Sequence, residues 1–169
     1  EKNMKKILTN ALVALIVVST AFAATSYKGA SKKDSFAIGL NAGTNTGVIV
    51  NYGLGKFDLE GIVGFGVLNG SGLDVEAAAN YEIIDVAKQC KFDGAMPFTV
   101  GLGADLAFRF SDPFSMYVGV LVPLKLTYIF PKVPVSLFLR VAPGVTFQVV
   151  PELNAGFGIS GSIGATYNF

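Results

Sequence analysis

From Phe36 to Phe169, apolar and polar side chains alternate with a period of two, the spacing at which an extended chain turns successive residues to opposite faces. Phe36, Ile38, Leu40 and Ala42 share one face, with Ala37, Gly39, Asn41 and Gly43 on the other. After a turn at 43–47, Val48, Val50, Tyr52 and Leu54 oppose Asn51 and Gly53. Beyond Gly55-Lys56, the residues Phe57, Leu59, Val63, Phe65 and Val67 oppose Asp58, Glu60, Gly64 and Gly66. A loop at 69–72 leads to Leu73, Val75, Ala77, Ala79 and Tyr81, set against Asp74, Glu76, Asn80 and Glu82. The alternation resumes at 98–110, with Asp105 and Arg109 on the polar side, and at 116–128, with Lys125 there. It continues at 135–149, with Ser136 and Arg140 on the polar side, and ends at 153–169.

The pattern predicts about eight strands separated by turns rich in Gly, Asn, Ser, Asp and Pro. Most reach the roughly 9–11 residues that a tilted strand needs to cross a bilayer. Strands of soluble proteins run more often to about five or six. Pro123 and Pro143 each remove a ladder hydrogen bond and predict a bulge or edge irregularity. A turn at Pro143-Gly144 would give an odd count and ranks second. The 84–97 connection carries Val86, Ala87 and Cys90 at helical spacing, enough for one helical turn.

The N-terminus follows another logic. Lys5 and Lys6 behind Met4, an apolar stretch from Ala11 to Val18 and the small-x-small site Ala21-Phe22-Ala23 are the parts of a secretory signal peptide, cleaved after Ala23. Glu1 to Asn3 read as an upstream extension. Residues 24–35 form a polar leader, and 36–169 one barrel domain. The expected compartment is therefore beyond the inner membrane of a bacterium.

Composition narrows the choice. The chain is 51% hydrophobic with mean hydropathy +0.54, yet no run past the signal segment approaches the about 18 apolar residues of a membrane helix. Either a buried all-β core or a barrel facing lipid remains. Without the signal segment, 10 basic and 11 acidic residues remain. That balance offers nothing to nucleic acid. Cys90 is the only cysteine, so no intrachain disulfide forms.

The polar face decides between a soluble lipocalin-like barrel and a membrane barrel. It is rich in Gly, Ser, Thr and Asn with few charges, poor for a water-exposed surface and suited to a crowded lumen. Aromatic residues sort by strand parity. Phe36, Phe57 and Phe98 begin odd strands, whereas Tyr52, Tyr81, Tyr128, Tyr167 and Phe169 end even ones. All fall at one rim of an up-and-down barrel, as an interfacial belt does.

The signal peptide, the eight alternating strands and the ending Ile163-Gly164-Ala165-Thr166-Tyr167-Asn168-Phe169 resemble the small outer-membrane barrels of the OmpA/OmpX type. The resemblance implies an all-β, antiparallel up-and-down transmembrane β-barrel. It also implies that Tyr167 and Phe169 act as an assembly signal for the barrel-assembly machinery, and that outer-membrane lipid surrounds the wall. The short loops at the outer rim depart from many such relatives.

Chemistry is sparse. The chain has no His, the residue whose pKa near 6.5 suits general-base work, and it shows no metal or phosphate-loop pattern. No enzyme and no cofactor are expected. The sharpest constellation is a lumen charge network of Glu60, Asp74, Glu76, Glu82, Asp105, Arg109, Lys125 and Arg140. Asp74, Glu76, Asp105 and Arg109 are expected in the upper half, and Glu60, Glu82, Lys125 and Arg140 in the lower half or near the middle, each layer able to pair acid with base. The expected role is a non-enzymatic barrel with a structural or surface-interaction function and a largely plugged lumen. A narrow porin-like channel and a soluble exported lipocalin-like binder are the alternatives.

Overall fold

A computed structural model describes residues 33–66, 72–91 and 93–169. Residues 1–32, which hold the signal segment and most of the leader, 67–71, which hold Val67 and most of the expected loop, and 92 lie outside them. The strands are β1 (Lys33–Gly43), β2 (Asn45–Leu54), β3 (Phe57–Gly66), β4 (Gly72–Asp85), β5 (Pro97–Arg109), β6 (Ser115–Leu121), β7 (Leu124–Ile129), β8 (Val135–Val150) and β9 (Asn154–Asn168). One short helix, α1 (Val86–Cys90), follows β4 and supplies the helical turn expected there. β1 begins three residues before the predicted Phe36.

All pairings are antiparallel. β6 and β7 both lie between β5 and β8 and so share one position in the ring. β9 pairs back onto β1, with Ile38 opposite Tyr167, closing eight positions into a barrel. Closure pairs the edges of β1 and β9 with each other over 37–43 and 162–168.

Pro123 marks the expected irregularity, the break between β6 and β7, and neither proline inserts a bulge. Leu121 and Leu124 pair with Gly103 and Val100 on β5 and with Gly144 and Val141 on β8, so the register is unchanged across the break. The Val122 N–H donates to the Pro143 carbonyl at 2.8 Å, and the Gly101 N–H donates to the Pro123 carbonyl at 2.8 Å. Each proline accepts its bond and lacks only its donor, which interrupts the ladder without inserting a residue. Pro143-Gly144 lies inside the continuous β8 and is not a turn. Register shifts occur nearer strand ends, at Lys33/Phe36, Glu82/Ile84 and Met116/Tyr117. The turn from β2 to β3 uses Gly55 at φ 68°, a conformation open to glycine.

The registers also fix the barrel's size. Starting from Gly164, successive partners are Asn41, Gly47, Gly64, Asp74, Ala107, Tyr117, Gln148 and Asn154. One circuit therefore returns to β9 ten residues from where it began. With eight positions and strand spacings of about 4.8 Å, that stagger implies a tilt of about 40° and a radius of about 8 Å. Such an interior is filled by side chains.

The wall is apolar outside and polar inside. Leu40, Phe65, Leu102, Phe157 and Ile163 are all at least 60% exposed, whereas Glu60, Lys125 and Arg140 are at most 4% exposed. The aromatic sorting read from strand parity takes physical form at the lower rim. Phe57 stacks on Tyr81 at 5.0 Å, Phe169 lies 5.7 Å from Phe36 and 4.9 Å from Tyr167, and Tyr128 meets Phe130 at 4.8 Å. Phe110 and Phe114 pair at the upper rim, 6.3 Å apart.

Candidate functional site

The lumen's centre is an ion-pair chain that reaches across the barrel. Lys125 on β7 and Arg140 on β8 are aligned neighbours, and Glu60 on β3 faces them from the opposite wall. Lys125 Nζ donates to Glu60 Oε2 at 2.6 Å, Asp58 Oδ2 at 2.7 Å and Asn51 Oδ1 at 3.0 Å. Arg140 Nε stands 2.9 Å from Glu60 Oε1, and its Nη2 donates to Glu76 Oε2 at 2.6 Å. The Nε contact is ionic rather than a well-directed hydrogen bond. Asn45 Nδ2 then donates to Glu76 Oε1 at 3.3 Å. Each oxygen of Glu60 thus has its own cation, the arrangement that offsets the desolvation of buried charge.

Apolar side chains complete the plug. Ile49 and Ile62 are fully buried and pack with Phe138 inside the barrel. The period-two signal hid them because Ile49 and Ile62 sit between outward Val48 and Val50, and beside outward Val63, in runs that are apolar on both faces. Asn51 and Asp58, both partners of Lys125, fell on the predicted polar face without being singled out.

Below this chain lies a cavity of about 90 Å³, bordered by Asn51, Asp58, Thr99 and Lys125. Above it lies one of about 290 Å³, bordered by Asn45, Asp74, Glu76, Asp105 and Arg109. In this upper vestibule Arg109 forks onto Asp74, through Nη1 to Oδ1 and through Nη2 to Oδ2 at 3.4 Å. Gly66 and Gly72 flank that pair, and a side chain on either would meet the guanidinium or the carboxylate. The predicted lumen role of Gly64 and Gly66 holds, since both face inward and are buried.

One expectation about the network changes. The layers are not separately neutralised, because Arg140 bridges from Glu60 to Glu76. Glu82 is half-buried near the lower rim, where its backbone N–H donates to the Lys56 carbonyl at 2.8 Å. Asp105 is aligned with Glu76 on the neighbouring strand. It makes no ion pair among the described residues, and its Oδ1 has no hydrogen-bond partner. Nor do the described residues contain a His, Cys, Asp and Glu grouping able to hold a metal ion.

No protein-family model and no curated protein matches the chain. Among solved structures it is similar to the N-terminal β-barrel domain of Pseudomonas aeruginosa OprF, with a TM-score of 0.50 and 14% identity, over 81% of this chain and 98% of that one. The likeness is one of fold, an antiparallel β-barrel.

Proposed function

We propose that this protein is an integral, non-enzymatic β-barrel of a bacterial outer membrane, with a structural or surface-interaction role and a lumen closed by its ion pairs. The inverted wall carries this reading. Charged side chains are buried inside while large apolar ones cover the outside. In water such an exterior has no stabilising partner, and a lipid acyl region supplies one. The chain reaches that membrane after signal-peptide cleavage. Tyr167 and Phe169 on the closing strand are the residues read by the barrel-assembly machinery, and lipid is the principal partner.

Refolding into detergent micelles tests this reading. The folded barrel should migrate differently from boiled protein on a denaturing gel. A chain that stays monomeric and folded in buffer without detergent favours the soluble lipocalin-like alternative. A narrow channel is a second reading, favoured by the two cavities on either side of the ion-pair chain. It requires discrete conductance steps from purified refolded protein in a planar bilayer, and the plugged reading requires their absence.

A further inference from the structure

The barrel is closed only up to the turn at Thr44. β1 pairs with β9 over residues 162–168, and β1 ends at Gly43. β9 continues upward to Asn154, paired with β8 alone over 154–160. At the junction, the Thr44 N–H donates to the Gly161 carbonyl at 2.9 Å, and the Gly161 N–H donates to Thr44 Oγ1 at 3.0 Å. Backbone groups of a strand alternate in direction. Gly161 points toward β1, so Ile159, Phe157 and Ala155 point their N–H and C=O groups the same way, past the end of β1. Among the described residues no strand receives them. Such an edge is a template for strand addition.

The chemistry behind the edge is acidic. The same stretch of β9 borders the upper vestibule, whose far wall carries Asp74, Glu76 and Asp105. Arg109 and Arg140 answer the first two, and Asp105 is left without a cation. The outward side chains of the edge, Phe157 and Ile159, are 72% and 63% exposed. An added strand would pair these backbone groups, and a positive charge would complement the acidic vestibule wall.

We infer that the free edge of β9 at residues 155–159 binds an extended peptide segment of a partner protein. The segment runs antiparallel to β9, with a Lys or Arg side chain projecting into the vestibule toward Asp105. Alternate residues of the added strand point the opposite way and pack beside Phe157 and Ile159. Backbone pairing supplies affinity, and the buried basic residue supplies selectivity.

Hydrogen exchange on the full chain refolded in detergent tests the inference. The probes are an acetylated, amidated peptide alternating Val with Lys and its counterpart with Glu in place of Lys. The Val–Lys peptide should slow exchange at the Phe157 and Ile159 amides by about tenfold or more, and the Val–Glu peptide should not. Asp105→Asn should weaken the Val–Lys peptide about tenfold. Phe157→Pro removes a donor from the free side and none from the β8 side, so it should abolish protection at Ile159. If that variant does not refold, the peptide pair with Asp105→Asn decides alone. Amides already protected before peptide is added, protection by neither peptide, or equal protection by both would each overturn the inference.

Discussion

The two halves of the lumen use the same residue types to opposite ends. At the centre, every charged atom of Glu60 and Lys125 meets a partner of opposite sign, and Ile49, Ile62 and Phe138 fill the remaining space. In the upper vestibule Arg109 satisfies Asp74, Asp105 has no cation, and a cavity of about 290 Å³ remains. The central half is a plug in which Lys125 and Arg140 each hold two carboxylates, Arg140 reaching up to Glu76. The upper half carries surplus acid beside an unpaired strand edge. Buried charge is stabilising only as a complete set, so one half is suited to closing the barrel and the other to receiving something.

Substitutions at the two levels should separate them. Arg140→Met leaves Glu60 and Glu76 buried with one cation fewer between them. It should lower the unfolding free energy in detergent by about 3–5 kcal/mol, read from urea titration. Arg109→Met strands only Asp74, at the more open level, and should cost about 1–2 kcal/mol in the same assay. If Arg109→Met costs as much as Arg140→Met, the distinction between plug and vestibule fails. Asp105→Asn removes a carboxylate that faces Glu76 and Asp74, and should leave stability unchanged or raise it by up to about 1 kcal/mol. A clear loss would mean that Asp105 has a stabilising partner. The smallest expected effect is at Cys90, which is exposed on α1 at the lower rim. A membrane-impermeant maleimide should label it in the refolded barrel without moving the urea midpoint. In whole cells labelling should require a permeabilised outer membrane, which fixes the lower rim as the inner one.

Much of this was legible along the chain. A period of two states which residues share a face wherever the two faces differ in polarity, as along 72–85, where Asp74, Glu76 and Asn80 alternate with Val75, Ala77 and Ala79. It fails where both faces are apolar, which is why Ile49 and Ile62 were passed over. The prolines are half legible for a related reason. Sequence shows that a donor is missing at Pro123 and Pro143, but not that the two fall beside each other on adjacent strands, where register survives. Layer assignments along single strands set Lys125 and Glu60 at one level, yet Arg140 reaches Glu76 as well.

By itself the sequence determined the strands, their faces, the parity of the aromatics and the set of lumen charges, because each of these is a local property of spacing. The tertiary structure alone decided which charges meet, since a ten-residue stagger around the ring sets which levels of β3 and β4 face β7 and β8. It also decided that β1 stops short of β9. Strand lengths are local, but whether a strand's upper groups find a partner depends on the height of its neighbour after closure. That mismatch, at Thr44 and Gly161, leaves the edge open beside the unanswered carboxylate of Asp105.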